Sequence, residues 1–361
     1  MLTNELLSAP YLHALARRLF VAADTPPAIA DAVAGILVGS NLAGHDSHGV
    51  LRVPAYLHQI EAGQLRPAGE PQRVRDAPGL LMVDGQQGFG HYTAKRAMEW
   101  GIDKARRENV CAVSFTQVGH IGRLGEYAEM AAAAGCLGVI TVGGGSTQNL
   151  RRVVPFGGGA GSGALGTNPI AIGAPTGDDT PFVLDFATSV MAEGKVQVAR
   201  SKEMPMPEGV ILDKAGQPTT NPHDFYDGGY LRAFANHKGY ALSLAFCLLA
   251  GLSGQFSAEH RALSGAYMQI LNIEAFTPLA AYQQHVRAFL DGIKSLPTAP
   301  GVDEILVPGD FEQRNRCQRL AGGAPIPAMI RQQLAEWAAK LGVATGEEIV
   351  EAADHSRYEK M

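Results

Sequence analysis

The sequence predicts an α/β fold, because short apolar strands alternate with amphipathic helices through the middle of the chain. A strand is predicted at Leu80–Asp84, and a helix follows from Thr93 to Asn109, where apolar residues recur at helical spacing. The pattern repeats with a strand at Val110–Phe115, a helix from Ile121 to Ala134 and a strand at Leu137–Val142. This alternation predicts an α/β domain in the middle of the chain.

Both ends of the chain are predicted to be helical. The N-terminal third is helical up to about Leu65, and one of its helices begins near Pro26, which suits a first turn, and stops at Gly44. The segment from Pro325 to Ser356 also carries apolar residues at helical spacing.

Further elements are predicted between these regions. A polar, proline-containing joint runs from Arg66 to Pro78, and strands are predicted at Pro169–Ala174 and Phe182–Asp185. Thr188 to Ser201 is expected to form a helix, and the apolar stretch from Lys238 to Gly254 a buried helix.

The composition disfavours several classes of function. The chain has 361 residues, a net charge of -5 and 18% charged residues, without a long basic run, so we expect no nucleic-acid or membrane-surface binding. No signal peptide is recognisable, and the most apolar predicted helix is shorter than the ~20 residues that span a bilayer. These features predict a cytoplasmic protein.

Catalytic residue types are concentrated in the loop that follows the helix ending at Gly44. Ser47, His48 and Arg52 lie there within six residues. A histidine exchanges protons near neutral pH, and an arginine can hold a carboxylate with two parallel hydrogen bonds. The loop therefore predicts chemistry on a small carboxylate whose neighbouring atom gains or loses a proton.

Other interpretations of this loop stay open at this stage. His48 could be a structural loop histidine, and Arg52 an exposed cation at a helix start. A hydrolase with Ser47 as nucleophile is disfavoured, because no G-x-S-x-G elbow surrounds it. A zinc site at His45 and His48 is disfavoured too, since no further ligand cluster has zinc-like spacing. We expect no metal.

One glycine motif is a false match to a nucleotide site. Gly161–Gly166 fits G-x-G-x-x-G, but Thr167-Asn-Pro169 follows and cannot continue a helix. We therefore reject a classical Rossmann site. Gly119–Gly125 is a better candidate for holding phosphate, because it lies at a strand-to-helix junction and Arg123 adds charge.

Several sequence blocks, in order along the chain, resemble the type-2 malate/L-lactate dehydrogenase family, whose members are NAD(P)-dependent oxidoreductases unrelated to the Rossmann-fold lactate dehydrogenases. The blocks are Ser47-His48-Gly49-x-x-Arg52, Gly119–Gly125, Gly166-Thr-Asn-Pro169, Phe182–Ser189, Gly216–Pro222 and His237-Lys-Gly-Tyr240. The loop around His48 is most similar to the branch that acts on 2-hydroxy and 2-keto acids.

The resemblance implies a fold as well. The expected sheet is mixed and non-Rossmann, in a central NAD(P)-binding domain at residues 77–311. A helical domain is expected from residues 1–76, joined by residues 312–361. The resemblance also implies a homodimer with active sites near the interface.

The implied reaction interconverts 2-keto and 2-hydroxy acids by hydride transfer, with His48 as proton donor or acceptor. In this interpretation Arg52 binds the substrate carboxylate, Ser47 bonds the substrate oxygen, and Asp185 orients His48. His120 is a second candidate for the acid/base role. The alternatives are a cyclic imino-acid reductase of the same family and a nucleotide-binding protein without turnover.

Cofactor contacts are also implied by the resemblance. The residues concerned are His48, Gly122, Arg123, Leu124, Val183, Leu184, Asp185, Phe186, Ala187, His237, Lys238, Gly309, Asp310, Phe311 and Glu312. NADH is favoured over NADPH, whose 2′-phosphate would need a cation such as Arg123, Lys195 or Arg200. Some branches of the family have a lysine after the strand at Leu137–Val142, and Gly143–Arg152 contains none.

Overall fold

The computed structural model describes residues 5–148, 152–201 and 203–358. Part of the lysine-free segment, residues 149–151, lies outside the described residues. Within the described ranges, no helix has the length and apolar character needed to cross a membrane.

Helices occupy both ends of the chain and cover the central sheet. They are α1 (Ala9–Ala22), α2 (Pro27–Leu42), α3 (Val53–Glu61), α4 (Gly90–Glu108), α5 (Gly125–Ala133), α6 (Glu193–Ser201), α7 (Pro222–Tyr226), α8 (His237–Ala250), α9 (Leu279–Lys294), α10 (Asp310–Gly322), α11 (Ala328–Leu341) and α12 (Ala352–Tyr358).

The strands lie mainly in the middle of the chain. They are β1 (Glu5–Leu7), β2 (Gln72–Ala77), β3 (Leu80–Asp84), β4 (Val110–Thr116), β5 (Cys136–Ser146), β6 (Pro169–Ala174), β7 (Phe182–Ala187), β8 (Ile211–Leu212), β9 (Pro218–Thr219), β10 (Tyr230–Leu231), β11 (Phe256–Ser257), β12 (Ala262–Asn272) and β13 (Ala324–Ile326).

The two ends of the chain share one hydrophobic core. Leu19, Phe20 and Leu37 from α1 and α2 pack in one cluster with Leu334 and Trp337 from α11. The strands β1 and β13 pair antiparallel beside this cluster. The predicted helical ends therefore meet in space, while the predicted domain boundaries at residues 76 and 312 stay predictions.

The central sheet has eight strands, seven of them in the order β2-β3-β4-β12-β5-β6-β7. The strands β3 and β4 run parallel, and the other neighbours along this path pair antiparallel. The sheet is therefore mixed, as predicted, and differs from the parallel Rossmann sheet. Leu165, inside the G-x-G-x-x-G match, forms a β-bridge with Val153, and β6 begins at Pro169, so no helix follows the match.

A smaller three-stranded sheet has the order β10-β8-β9. Its residues Ile211 and Leu231 share a separate core with Val196 of α6 and Phe225 of α7. This unit lies between β7 and α8 in the chain, the two elements to which cofactor contacts are assigned by resemblance.

Four predicted elements were wrong in detail. The polar joint contains β2, which pairs with β3 at the sheet edge, where polar residues face solvent. The helix predicted from Ile121 begins at Gly125, because Gly122 has φ +77°, a left-handed value that a right-handed helix excludes. The helix predicted from Thr188 begins at Glu193. The helix α8 is not buried throughout, since Leu248 is 69% exposed.

Candidate active site

The loop after α2 is built around the side chain of Asn41. Its Oδ1 accepts a hydrogen bond from the Val50 N–H at 2.8 Å, and its Nδ2 donates to Asp46 Oδ1 at 2.7 Å. Two short 3₁₀ turns follow one another here, Asp46–His48 and Val50–Arg52, and Asn41 contacts the first residue of each. One buried amide therefore fixes the backbone that carries the predicted catalytic residues.

The helix α10 holds the same loop from the outside. The carboxylate of Glu312 lies 3.0 Å from Nε2 of His45, and the guanidinium of Arg319 reaches both oxygens of Asp46. Glu312 and Arg319 are seven residues apart, so they lie on one helix face. His45, which was considered with His48 as a metal ligand, thus contacts a protein carboxylate. No group of three or more metal-binding side chains occurs among the residues that the structure describes.

The loop brings His48 and Arg52 together. Nδ1 of His48 lies 3.1 Å from Oγ of Ser47, and Nε of Arg52 donates to the Ser47 carbonyl at 2.7 Å. The ring of His48 stacks on that of His120, with centroids 5.7 Å apart. The two histidines proposed for the acid/base role are therefore neighbours.

The environment keeps both histidines neutral at pH 7. Burial lowers the pKa of His48 to about 3, helped by the nearby charges of His120 and Arg52. The pKa of His120 falls to about 4, first through desolvation by surrounding protein and second through Arg52. By solvent-accessible surface, His120 is nevertheless an exposed residue. Both rings are therefore unprotonated at pH 7, which is the form in which a general base acts.

Two residues that the sequence analysis did not select complete the cluster. The hydroxyl of Tyr56 lies 2.7 Å from Nδ1 of His120 and 3.4 Å from Nε2 of His91. A cavity of about 230 Å³ borders them and His120. Tyr56 follows Arg52 by one helical turn, a spacing that could have identified it. No local motif marks His91, because it reaches the site only through tertiary packing.

Asp185 does not bond to His48 as predicted. Its Oδ2 accepts the N–H of Gly125 at 2.7 Å, at the first residue of α5. Burial raises the pKa of Asp185, while the Arg123 guanidinium opposes this shift. The carboxylate therefore caps α5 from β7, where its charge is stabilised by the helix dipole.

The phosphate site predicted at Gly119–Gly125 is not supported by this geometry. Arg123 is 2% exposed and donates to Glu129 at 2.8 Å, with Glu126 at 3.5 Å. Its charge is therefore balanced inside the protein, and the Asp185 carboxylate occupies the start of α5 where a phosphate was expected. Gly122 and Leu124 are buried beside it.

The other predicted cofactor segments meet around β7. The Val183 N–H donates to the Pro308 carbonyl at 3.2 Å, which brings the loop with Gly309 against β7. At its other end the ring of Phe186 lies 5.6 Å from that of Phe234, which is followed by α8. The remaining members differ in exposure: His237, Lys238 and Phe311 are exposed, whereas Leu184, Ala187 and Asp310 are half-buried.

Comparison with known proteins identifies relatives along almost the whole chain. A model of the malate/L-lactate dehydrogenase family matches residues 7–335. Hydroxycarboxylate dehydrogenase B from Escherichia coli strain K12 is 34% identical over 354 residues, which cover 95% of this chain and 96% of that protein.

Solved structures agree with this assignment. Sulfolactate dehydrogenase from Methanocaldococcus jannaschii has a TM-score of 0.84 and 31% identity, covering 94% of this chain and 98% of the other. Δ1-piperideine-2-carboxylate reductase from Pseudomonas syringae pvar. tomato has a TM-score of 0.79 and 30% identity, covering 92% and 100%. Together with the family match, these similarities show that the chain belongs to the malate/L-lactate dehydrogenase family.

Proposed function

We propose that this protein is an NAD(P)H-dependent oxidoreductase that interconverts 2-keto and 2-hydroxy carboxylates. The observation that carries the proposal is that His48 stacks on His120 and shares with Arg52 a loop held by α2 and α10. Relatives named as hydroxycarboxylate and sulfolactate dehydrogenases support the same substrate class.

Arg52 is the proposed carboxylate-binding residue. Its Nε donates to the Ser47 carbonyl, which orients the guanidinium, and we propose that the two terminal nitrogens face the substrate. An arginine held in this way can form two parallel hydrogen bonds with a carboxylate. The keto or hydroxy carbon next to that carboxylate would then lie beside the histidine pair.

His48 is the proposed proton carrier. In oxidation, the neutral ring takes the proton of the substrate hydroxyl at Nε2, while its Nδ1 stays bonded to Ser47. In reduction, the ring returns this proton to the oxygen. A substrate carboxylate on Arg52 offsets a positive charge that lowers the pKa of His48, so binding itself raises that pKa.

A nicotinamide dinucleotide supplies or receives the hydride when it is bound. The residues around β7 fit such a group: the Phe186 ring is exposed, and Lys238 places a cation in the first turn of α8. Next to His237, the ring of Phe156 borders a cavity of about 240 Å³ that also contains Arg232. We propose that α8, rather than α5, faces the cofactor phosphates.

NADH is the favoured form of the cofactor. Two of the three cations considered for a 2′-phosphate are engaged elsewhere, since Arg123 binds Glu129 and Arg200 lies 3.8 Å from the Tyr226 ring centroid. Lys195 is exposed in the first turn of α6. The adjacent Gly194 packs against Ser47, so Lys195 is the candidate if NADPH is used.

The cavity beside His120 favours substrates with a polar substituent. Its lining includes Tyr56 and four glutamines, a residue type whose amide can donate to and accept from an oxygen-bearing group. The glutamines are Gln59, Gln64, Gln87 and Gln117. We propose that a substituent on the substrate's third carbon enters this cavity.

A homodimer is the proposed assembly. The helix α8 exposes an apolar series comprising Leu244, Leu248 and, just beyond its end, Leu252. Leu248 and Leu252 are 69% and 59% exposed. Contiguous exposed leucines on one helix are typical of an interface between protein chains. We propose that the second copy covers this surface.

The second candidate function is reduction of a cyclic imino acid. It is favoured by the likeness to Δ1-piperideine-2-carboxylate reductase. A C=N bond next to a carboxylate offers nearly the same shape as a 2-keto acid, and Arg52 and His48 can serve both.

The test is turnover of reduced nicotinamide with a panel of pyruvate, oxaloacetate, sulfopyruvate, phenylpyruvate and a cyclic imino acid, for wild type and His48→Ala. We expect keto-acid turnover that falls about 10²-fold in the variant, the scale of losing a general acid. Turnover of the imine alone would replace the first candidate by the second. NADH binding without turnover of any compound would contradict both and leave a nucleotide-binding protein.

A further inference from the structure

A hydrogen-bonded series of three side chains extends from the catalytic cluster into the protein interior. Nδ1 of His120 lies 2.7 Å from the Tyr56 hydroxyl, which lies 3.4 Å from Nε2 of His91. His91 is fully buried, and its Nδ1 has no hydrogen-bond partner among the described residues. The Tyr56 hydroxyl has one proton, so it can donate to only one of the two histidines.

Two placements of the protons satisfy both hydrogen bonds of this series. In the first, His91 donates from Nε2 to Tyr56, and Tyr56 donates to Nδ1 of His120, whose own proton is then on Nε2. In the second, every bond is reversed, so His91 carries its proton on Nδ1 and His120 on Nδ1. The second arrangement buries an N–H of His91 without an acceptor, whereas the first leaves only a lone pair unpaired. Orphaned buried N–H groups are the rarer of the two in folded proteins.

We infer that His91, acting through Tyr56, holds His120 in the neutral form that carries its proton on Nε2, at the ring edge opposite Tyr56. His91 is thus a positioning residue for the reaction proposed above, and the role of this Nε2–H in catalysis rests on that proposed function. The preference of His120 for one tautomer is independent of the proposed function.

Charged forms of the hydrogen-bonded side chains are disfavoured. Burial lowers the pKa of His91 well below its usual value, and the charges of His120, His48 and Arg52 act in the same direction. Burial also raises the pKa of Tyr56, so its hydroxyl remains a proton donor. The choice among arrangements is therefore a choice between neutral tautomers.

The backbone holds His91 in its place. A Cβ at position 122 would lie 2.6 Å from Cδ2 of His91, so the ring packs closely against a position that only glycine fits. A Cβ at Gly90 would lie 2.4 Å from the carbonyl oxygen of His120. The segments that carry His91 and His120 therefore pack backbone to backbone, which fixes the distance between the two rings.

This tautomer separates the roles of the two stacked histidines. With Nδ1 bonded to Tyr56, the Nε2–H of His120 can donate to the substrate's keto oxygen and polarise the carbonyl. His48 then carries the transferred proton. The inference therefore assigns polarisation to His120 and proton transfer to His48.

The direct test is solid-state NMR of protein labelled with ¹³C,¹⁵N-histidine, with the His120 signals assigned by their loss in His120→Asn. Coupling of each nitrogen to its bonded carbons identifies which nitrogen carries the proton. We expect the proton on Nε2 in wild type and in His91→Gln, whose amide can still donate to Tyr56. In His91→Leu we expect a mixture of tautomers. A wild-type proton on Nδ1, or the same Nε2–H form in all three proteins, would overturn the inference.

Kinetics give a second readout. His91→Leu should lower kcat about fivefold with KM little changed, the scale of one lost hydrogen bond, and His91→Gln should restore it. Equal losses in both variants would indicate a merely structural residue and overturn the positioning role. If no substrate of the panel is turned over while NMR finds the Nε2–H form in the pattern above, the proposed function fails and the tautomer inference stands.

Discussion

The imidazole rings of His48 and His120 lie nearly parallel, with centroids 5.7 Å apart and an interplanar angle of 14°. Arg52 contributes positive charge to the surroundings of both rings. Two neutral imidazoles beside a fixed cation form a site that can bind a carboxylate and, through His48, remove a proton from the hydroxyl of the adjacent carbon. The predictions below follow from this arrangement.

The pH dependence should differ between the two directions of the reaction. The pKa of His48 is lowered to about 3, so the free enzyme holds the base form at neutral pH. The value of kcat/KM for hydroxy-acid oxidation should therefore show no histidine titration between about pH 5 and pH 8. The value of kcat/KM for reduction, which needs the protonated ring, should fall about tenfold for each unit by which the pH rises. Initial rates in both directions test this. An oxidation profile that drops below an ordinary histidine pKa would contradict the assignment.

Arg52 should be required for carboxylate binding. Replacing it with glutamine removes both parallel hydrogen bonds and the charge, and should lower kcat/KM about 10²-fold, mostly through KM. Arg52→Lys keeps the charge without the planar fork and should recover only part of this loss. Arg75→Gln, at an exposed position on β2, is the control. Full activity of Arg52→Lys would show that charge alone is sufficient.

The contact of Arg319 on α10 with Asp46 should be required for full activity, although neither residue is proposed to touch the substrate. Arg319→Met releases Asp46 and so loosens the loop of His48. We expect kcat/KM to fall about tenfold, since small displacements of catalytic groups are costly. The matched control is Arg314→Met on the same helix, where the lost partner is the exposed Glu304. Similar losses in both variants would argue against a clamp.

Asp185 should act on stability rather than on proton transfer. Asp185→Ala removes the cap of α5 and should cost about 1 kcal/mol of unfolding free energy, measured by urea denaturation. Asp185→Asn keeps an oxygen that can accept the Gly125 N–H and should cost less. Neither substitution should change the pH profile of oxidation. A shifted profile would instead support the earlier interpretation, in which Asp185 orients His48.

The exposed leucines of α8 should hold the proposed dimer together. Leu248→Glu places a charge in a surface that the second copy would cover, and sedimentation should then detect monomers. Val74→Glu adds the same charge at a residue that is 54% exposed on the edge strand β2 and should leave the assembly unchanged. A wild-type protein that is itself monomeric would contradict the proposal.

Local pattern was sufficient to predict several parts of the molecule. The strands Leu80–Asp84 and Pro169–Ala174 were predicted with the observed bounds, because each is a short apolar run between turn residues. Ser47, His48 and Arg52 could be selected because they follow a helix within one loop, where chain neighbours are also neighbours in space.

The site residues that the sequence analysis misassigned or did not select depend on tertiary contacts. Arg123 was predicted to add charge at a phosphate site and Asp185 to orient His48, but Arg123 binds Glu129 and Asp185 accepts the first N–H of α5. Neither partner can be inferred from spacing along the chain. His91 at the start of α4 approaches Tyr56 of α3 across 35 residues of sequence, and a histidine after a glycine has no distinctive local pattern.

The most direct test of the central claim follows an isotope. Turnover of a 2-keto acid with NADH doubly deuterated at C4 of the nicotinamide, analysed by mass spectrometry, should give a 2-hydroxy acid with one deuterium at C2. The rate should fall about 10²-fold in His48→Ala. A product without deuterium, or an undiminished rate in the variant, would contradict hydride transfer with His48 as the proton carrier.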